Sequence, residues 1–422
     1  MGLSPGTTSI STVIEQTAGN LAPGLPGSQL LFQNPPAASC EATVVIPVRD
    51  EQETLGLTLR SLAQQVDLSG NSLDHATYEI LVLINNTVDD SASIARQIAC
   101  EHPTLNLQIA EIDLPEHQAH VGQARRLLMD AACERFQSLG TSRGVIATTD
   151  ADTILSPTWL AATLDAVHAG ADAVGGRILV TPGELEAMDP DARSCHLRDV
   201  GYRYLICQIE AMIDPPPGDP WPRHFQHFGA SIAVTAEMYL RAGGLPVLPV
   251  LEDVALYDRL MRLDARIRHS PHVQVYTSAR CQGRAGWGFA AQLQQWMEMK
   301  RLGEPFLVRS AEDIADEFLT RRELRRKWTW IRSTGKSLNG SLIPMAERLM
   351  VPAEALDLLL ERGTRFGEVW TQIQCLQKET GIRSEPFPSV AIDQAIRELR
   401  QYIADQTNPR TKRHRRSNRS SR

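Results

Sequence analysis

Apolar residues fall into two rhythms along the chain. In the first part, short continuous apolar runs alternate with stretches in which apolar residues recur every three to four positions. The run Ala42-Thr43-Val44-Val45-Ile46-Pro47 is β-branched and almost wholly apolar, which predicts a central parallel strand. Val48-Arg49-Asp50-Glu51 then turns the chain. Asp50 with Glu53 resembles a capping box, and Leu55, Leu59 and Leu62 follow at helical spacing. A second strand is predicted over 78–84. The polar stretch Asn85-Asn86-Thr87-Val88-Asp89-Asp90-Ser91 comes next, then a helix with Ile94, Ala95 and Ile98 inward. A third strand spans 107–112. Gly122 and the pair Arg125-Arg126 open a helix that carries Leu128, Ala131 and Ala132. A fourth apolar run, Gly144-Val145-Ile146-Ala147, leads into Thr148-Thr149-Asp150-Ala151-Asp152, with a helix predicted over 157–167. Strands alternating with helices of this length specify an α/β fold with a parallel sheet and crossover helices.

The pattern then loosens. Residues 171–180 read as a further strand and 191–213 as a polar helix ended by Pro215-Pro216-Pro217-Gly218. His227-Phe228-Gly229-Ala230-Ser231-Ile232-Ala233-Val234 reads as a turn into a strand. Residues 238–242 form a helix stopped by Gly243-Gly244. Glu252-Asp253 starts another helix, with Leu256, Leu260 and Leu263 as its buried side, and 273–278 is a last short strand. From about residue 310 on, Leu, Arg and Glu dominate at 3.6 spacing in 312–333, 353–379 and 389–404. The expected plan is a flexible arm (1–40) rich in Gly, Pro, Ser and Thr, an α/β domain (41–300), a helical C-terminal extension (301–407) and a basic disordered tail (408–422).

Composition narrows the function classes. A formal net charge of −7 argues against a general nucleic-acid binder, although Arg410 to Arg422 carries seven Lys/Arg and no acid. The seven cysteines are scattered, odd in number and without a Cys-x-x-Cys pair. That favours a reducing, cytoplasmic setting over a disulfide framework or a structural zinc site. No basic segment followed by an apolar one marks a secretory signal, and no run of about 18 apolar residues predicts a transmembrane helix.

Asp150 and Asp152 are the first candidates for chemistry. Two carboxylates just past a buried strand offer hard oxygen ligands of the kind that suit Mg²⁺ or Mn²⁺, and such ions also bind phosphate oxygens. In an open α/β sheet, ligands bind beyond the carboxyl ends of the strands. The plain alternative is a strand end with an Asp cap. No Gly-x-Gly-x-x-Gly and no Gly-x-x-x-x-Gly-Lys-Ser/Thr loop occurs, which disfavours a Rossmann dehydrogenase and a P-loop NTPase.

The ordered set is more specific than its parts. It comprises a Pro-containing first strand with an acidic turn, a polar loop after strand two and a Gly-x-x-Arg helix start. It continues with the Asp-x-Asp, a Gly-Ala-Ser strand entry and a Glu-Asp pair about 100 residues past the Asp-x-Asp. In this order and spacing, residues 42 to about 290 resemble the GT-A glycosyltransferases, specifically glycosyltransferase family 2. The resemblance implies a GT-A type, Rossmann-like, mostly parallel sheet flanked by helices. It also implies inverting, metal-dependent transfer of a hexosyl group from a nucleotide sugar, with a UDP-sugar as the expected donor and a divalent metal as cofactor.

Carried over residue by residue, the resemblance places Pro47 and Glu51 against the nucleoside. Asn85 stands where the family usually has an Asp that hydrogen-bonds the base. An amide both donates and accepts, whereas a carboxylate only accepts, so this position bears on base preference. Asp89 matches a structural Asp of the same loop, and Gly122 and Arg125 match the stretch that flanks the diphosphate. Asp150 and Asp152 match the metal and donor-ribose carboxylates. Gly229-Ala230-Ser231 matches the segment beneath the acceptor, and Glu252-Asp253 matches the acidic pair whose Asp is the catalytic base.

The residue types suit that chemistry independently. A leaving diphosphate needs its charge neutralised, which a cation at Asp152 and a basic side chain supply. The attacking hydroxyl must lose a proton to a carboxylate on the opposite side, for which Asp253 is the candidate. Arg280, Gln282, Arg284 and Trp287 follow the last strand. Arg284 resembles the diphosphate-binding arginine of relatives, while a solvated surface loop is the plain alternative. His224 and His227 read as a polar loop at the acceptor mouth rather than as metal ligands. The 191–213 helix reads as an acceptor lid or as a cover for the sheet. The C-terminal helices read as packing elements, with a peripheral membrane contact as their alternative, and a solvated end is the default for the basic tail. The rival functions are a nucleotidyltransferase, disfavoured by Pro47-Val48-Arg49-Asp50-Glu51 in place of a Gly-rich basic loop, and a catalytically inactive nucleotide-sugar binding module.

Overall fold

The computed structural model describes residues 31–278, 288–336, 342–379 and 387–407. The strands that build the main sheet are β1 (Ala42–Val48), β2 (Tyr78–Asn85), β3 (Leu107–Ile112), β4 (Val145–Thr148), β5 (Thr153–Leu155), β6 (Ala173–Val180), β7 (Ile232–Thr235) and β8 (Ile267–Thr277). The helices used below are α1 (Leu55–Ala63), α2 (Ser91–Glu101), α3 (Val121–Ser138), α4 (Trp159–His168), α5 (Pro190–Ile213), α6 (Ala236–Arg241), α7 (Glu252–Arg262), α8 (Ala311–Thr334) and α9 (Ile392–Thr407). The chain divides into two compact units: 1–184, 226–260 and 267–291 in the first, and 185–225, 261–266 and 292–422 in the second.

The first unit holds the eight-stranded sheet, in the order β3-β2-β1-β4-β7-β6-β8-β5. β1 pairs in parallel with β2 and β4, and β2 with β3. β6 and β8 are also parallel, whereas β7 runs antiparallel to β4 and β6, and β5 to β8. This is the mostly parallel, helix-flanked α/β sheet that the alternating runs predict. Residues Val44, Val45 and Ile46 and Ile80 to Leu83 are wholly buried, as the continuous apolar runs require of strands covered on both faces. Leu55, Leu59 and Leu62 of α1 join Ala95 and Ile98 of α2 and Trp159 and Leu160 of α4 in one core.

This order sets where the site lies. The chain steps outward from β1 to β2 and β3, then returns to β4 on the other side. The carboxyl ends of β1, β2 and β4 therefore converge at a topological switch point. Because β7 is antiparallel to β4, its entry lies beside the exit of β4, with Thr148 opposite Ile232.

Several local expectations are corrected. The Asp50–Glu53 capping box does not form. Helix α1 begins at Leu55 without a side-chain cap, and Asp50 adopts a left-handed φ of 54° while accepting a hydrogen bond from Val88 N at 2.8 Å. The last strand starts at Ile267, not at 273. A register shift between Gly176 and Arg177 takes up the proline in Ser270-Pro271-His272, whose missing N–H cannot join the ladder. Helix α7 ends at Arg262, so Leu263 lies beyond it and is only half-buried. Order starts before Ala42: Phe32 and Cys40 are buried, and Gln108 Nε2 donates to the Asn34 carbonyl at 3.1 Å.

The second unit is helical. Tyr202, Ile209 and Ile213 of α5 pack with Ile314 and Phe318 of α8 and Ile392, Ala395 and Leu399 of α9. The apolar side of α5 is thus taken up by helices of the second unit. Arg321 pairs with Glu210 at 2.6 Å and Asp214 at 2.7 Å, and with Arg223 on Glu210 and Arg325 on Asp214 the two acids are balanced inside this unit. No helix among the described residues is long and apolar enough to cross a membrane. The 1–30 part of the arm, the loop with Arg280, Gln282, Arg284 and Trp287, and the 408–422 tail lie outside the described residues.

Candidate active site

The site grows from three strand ends. Beyond β1, Pro47 is the last-but-one strand residue, and the following turn is laced to the loop after β2. Glu51 N donates to Ser91 Oγ at 2.8 Å and Gln52 N to Asp89 Oδ2 at 2.9 Å. Asp89 Oδ1 also accepts from Ser91 N at 3.0 Å, so Asp89 joins the two loops through backbone donors. Glu51 is buried and accepts from Thr54 Oγ1 at 2.8 Å. Asn85 ends β2, buried, with Nδ2 donating to Asn86 Oδ1 at 3.2 Å. Asn86 in turn clamps Leu114, accepting from its N–H at 3.1 Å and donating to its carbonyl at 2.9 Å.

Beyond β4, the turn carrying Asp150 and Asp152 is held from below. Thr58 Oγ1 of α1 donates to the Ala151 carbonyl at 2.9 Å, and Thr153 N closes the turn on the Asp150 carbonyl at 3.2 Å. Arg125, from the first turns of α3, donates through Nη2 to Asp150 Oδ1 at 2.6 Å and through Nη1 to Glu252. The side chains of Arg125 and Glu252 are both 4% exposed, whereas that of Asp150 is 38% exposed. Removing one partner of a pair as buried as Arg125–Glu252 costs about 3–5 kcal/mol.

The entry to β7 completes the arrangement. Gly229, Ala230 and Ser231 form one buried helical turn. The Gly229 carbonyl accepts from Thr148 Oγ1 at 2.6 Å, and its amide donates to Asp253 Oδ2 at 2.6 Å. A Cβ on Gly229 would lie 2.7 Å from Arg125 Cζ, so only glycine lets the backbone lie against the guanidinium. Ser231 Oγ accepts from Trp159 Nε1 at 2.9 Å and serves the core. Asp253 Oδ1 accepts from Val254 N at 2.7 Å in the first turn of α7, where backbone N–H groups favour a carboxylate.

Three shifted groups mark the electrostatics. Burial pulls the Arg125 pKa down, but the carboxylates of Glu252, Asp150 and Asp253 outweigh it and hold the guanidinium above its ordinary value. Glu252 is pushed up to about 7 by burial and by the charges of Asp253 and Asp150, against the opposing pull of Arg125. The Asp150 carboxyl is raised by burial and by Asp253 and Glu51, again opposed by Arg125; its solvent-open side limits the dehydration. Perturbed groups gathered in one place are typical of functional sites.

Among the described residues, no three His, Cys, Asp or Glu side chains gather as a closed cation site. Asp150 and Asp152 supply two carboxylates on one turn. That donor set suits a hard ion that keeps positions for substrate phosphates, and it does not suit an all-protein cage. His224 falls in the second unit and His227 in the first. The His227 ring stacks on Tyr257 at 3.6 Å, one helical turn past Asp253. The roles of Tyr257, Thr58 and Thr148 escape sequence reading, because each depends on a partner distant in the chain.

Residues 43–212 match the family model of glycosyl transferase family 2. That segment belongs to glycosyl transferase family 2. Pro47, Glu51, Asn85, Arg125, Asp150 and Asp152 lie inside the family 2 segment, and Gly229, Glu252 and Asp253 follow it. No curated protein matches the chain. Among solved structures, it is similar to a mannosyltransferase, PcManGT from Pyrobaculum calidifontis in complex with GDP-Man and Mn²⁺, with 16% identity and a TM-score of 0.37 over 84% of this chain and 90% of that one. S. aureus TarS 1–349 in complex with UDP-GlcNAc aligns at 14% identity and a TM-score of 0.42, over 81% and 92%. Glucosyl-3-phosphoglycerate synthase from Mycobacterium tuberculosis, in complex with Mn²⁺, UDP and phosphoglyceric acid, aligns at 15% and 0.36, over 64% and 82%.

Proposed function

We propose that the protein is an inverting glycosyltransferase that moves a hexosyl group from a nucleoside-diphosphate sugar, a UDP-sugar by expectation, to an acceptor hydroxyl. The observation that supports this most is the setting of Asp253. Two backbone N–H groups hold its carboxylate in one orientation, from Gly229 at 2.6 Å and Val254 at 2.7 Å, beside the family 2 segment that carries Asp150 and Asp152.

In this reading Asp253 takes the proton of the acceptor hydroxyl as its oxygen bonds to the anomeric carbon. The bond from that carbon to the diphosphate breaks on the opposite face, and its electron pair leaves with the phosphate oxygen. Attack and departure on opposite faces invert the centre. Asp150 and Asp152 would hold Mg²⁺ or Mn²⁺, which supplies charge neutralisation on the leaving diphosphate. Asn85, with Pro47 and Glu51 nearby at the strand ends, is assigned to the nucleoside. Gly229, Ala230 and Ser231 shape the floor under the acceptor, and Glu252 supports Asp253.

The full-length protein should be incubated with UDP-, GDP- and TDP-sugars plus Mn²⁺ or Mg²⁺, and release of nucleoside diphosphate measured. Turnover of one donor class is expected. No release from any donor, with no calorimetric binding of UDP or GDP in the presence of Mn²⁺, would overturn the reading.

A further inference from the structure

One guanidinium reaches both sides of the site. Asp150 Oδ1 accepts from Arg125 Nη2 at 2.6 Å at the exit of β4, and Glu252 at the start of α7 takes Nη1. Gly229 lies against Arg125 Cζ and donates its amide to Asp253. Arg125 is itself buried, so its charge faces these acids rather than solvent.

We propose that Arg125 is a positioning residue that ties the donor-side carboxylate Asp150 to the acceptor-side pair Glu252–Asp253, and not a ligand of the donor diphosphate. The inference rests on the function proposed above. A planar fork can serve two carboxylates at fixed angles, whereas an ammonium acts as a single point charge. The face of the same fork is the surface that seats Gly229, and the Gly229 amide orients the proton-accepting carboxylate. The half of the site that binds donor and the half that takes the proton therefore share one charge and one support. Arg125, Asp150 and Asp253 are the charged groups facing Glu252.

The test uses the full-length protein and two variants. Arg125→Lys keeps the charge but loses the fork. Gly229→Ala keeps every charge and pushes on the guanidinium. For the donor turned over best, each should lower kcat by about 10–100-fold, the scale of a small misplacement of reacting groups. Saturating donor should not restore it. Calorimetric affinity for UDP or GDP with Mn²⁺ should stay near that of the unchanged protein. A fall in nucleotide affinity that matches the fall in kcat/KM would make Arg125 a donor ligand and overturn the proposal. Unchanged kcat in a folded variant would overturn it as well. If Arg125→Lys does not fold, Gly229→Ala carries the kcat and affinity comparison alone. The unchanged protein's turnover tests the proposed function separately, and if it turns over no donor, the nucleotide affinity of the variants still decides whether Arg125 is a donor ligand.

Discussion

The amide of Gly229 donates to Asp253 Oδ2 at 2.6 Å across 24 positions of sequence. Together with Val254 N on Oδ1, it gives each oxygen of that carboxylate one backbone donor. A carboxylate held in this way stays oriented, and each oxygen keeps a lone pair for a proton.

Asp253→Asn is therefore expected to do two things. As the loss of a positioned base, it should lower kcat by about 10²–10⁴-fold. An amide has one acceptor oxygen where the carboxylate has two, so either Gly229 N or Val254 N loses its partner, at about 1–3 kcal/mol. Steady-state kinetics with thermal melting would show both. Normal turnover in a folded variant would remove Asp253 as the base.

If Asp152 holds the cation, Asp152→Ala should abolish Mn²⁺-dependent binding of UDP or GDP, because a carboxylate ligand is lost. Calorimetry with and without chelator reads this directly. Nucleotide affinity that is the same in all four measurements would count against the assignment.

Glu252 gives a stability signature. Its pKa is about 7 in the folded protein against 4.5 ordinarily. The folded state thus holds a proton that the unfolded chain has lost between these values. The stability from this group is complete below about 4.5 and is lost as pH rises through about 7. The melting temperature of the unchanged protein minus that of Glu252→Gln should fall across this window and then level off. A difference that is flat with pH would contradict the burial-driven shift.

Gly122→Ala weighs two effects. Alanine gains up to about 1 kcal/mol over glycine inside a helix. At Gly122, however, a Cβ would overlap the backbone carbonyl of Leu248. Backbone cannot swing aside as a side-chain tip can, so a net loss of about 1–3 kcal/mol is expected. Chemical denaturation would measure it.

Asn85→Asp removes the donor that now reaches Asn86 Oδ1 at 3.2 Å. If Asn85 reads the nucleobase, the order of preference among UDP, GDP and TDP sugars should change. An unmoved order in a destabilised protein would make Asn85 a support for the Asn86 clamp on Leu114.

The local pattern was enough to place β1, β2, β3 and β4 and the helices between them. An apolar run buried on both faces and a 3.6-residue rhythm are each imposed by the nearest layer of packing. The same pattern located Asp150 and Asp152 at a strand end and Glu252-Asp253 at a helix start. Where a side chain had to choose a partner, local rules failed. Asp50 serves Val88 rather than its own helix, and the last strand continues past Pro271 because β6 shifts register beside it. Arg125 reaches Asp150 and Glu252, 25 and 127 positions away. Only the sheet order decides this. The antiparallel β7 brings Gly229 beside the exit of β4, and the glycine's missing Cβ leaves room there for the guanidinium. Spacing along the chain carries the period of each element, whereas the distance between two elements is set by which strands pair.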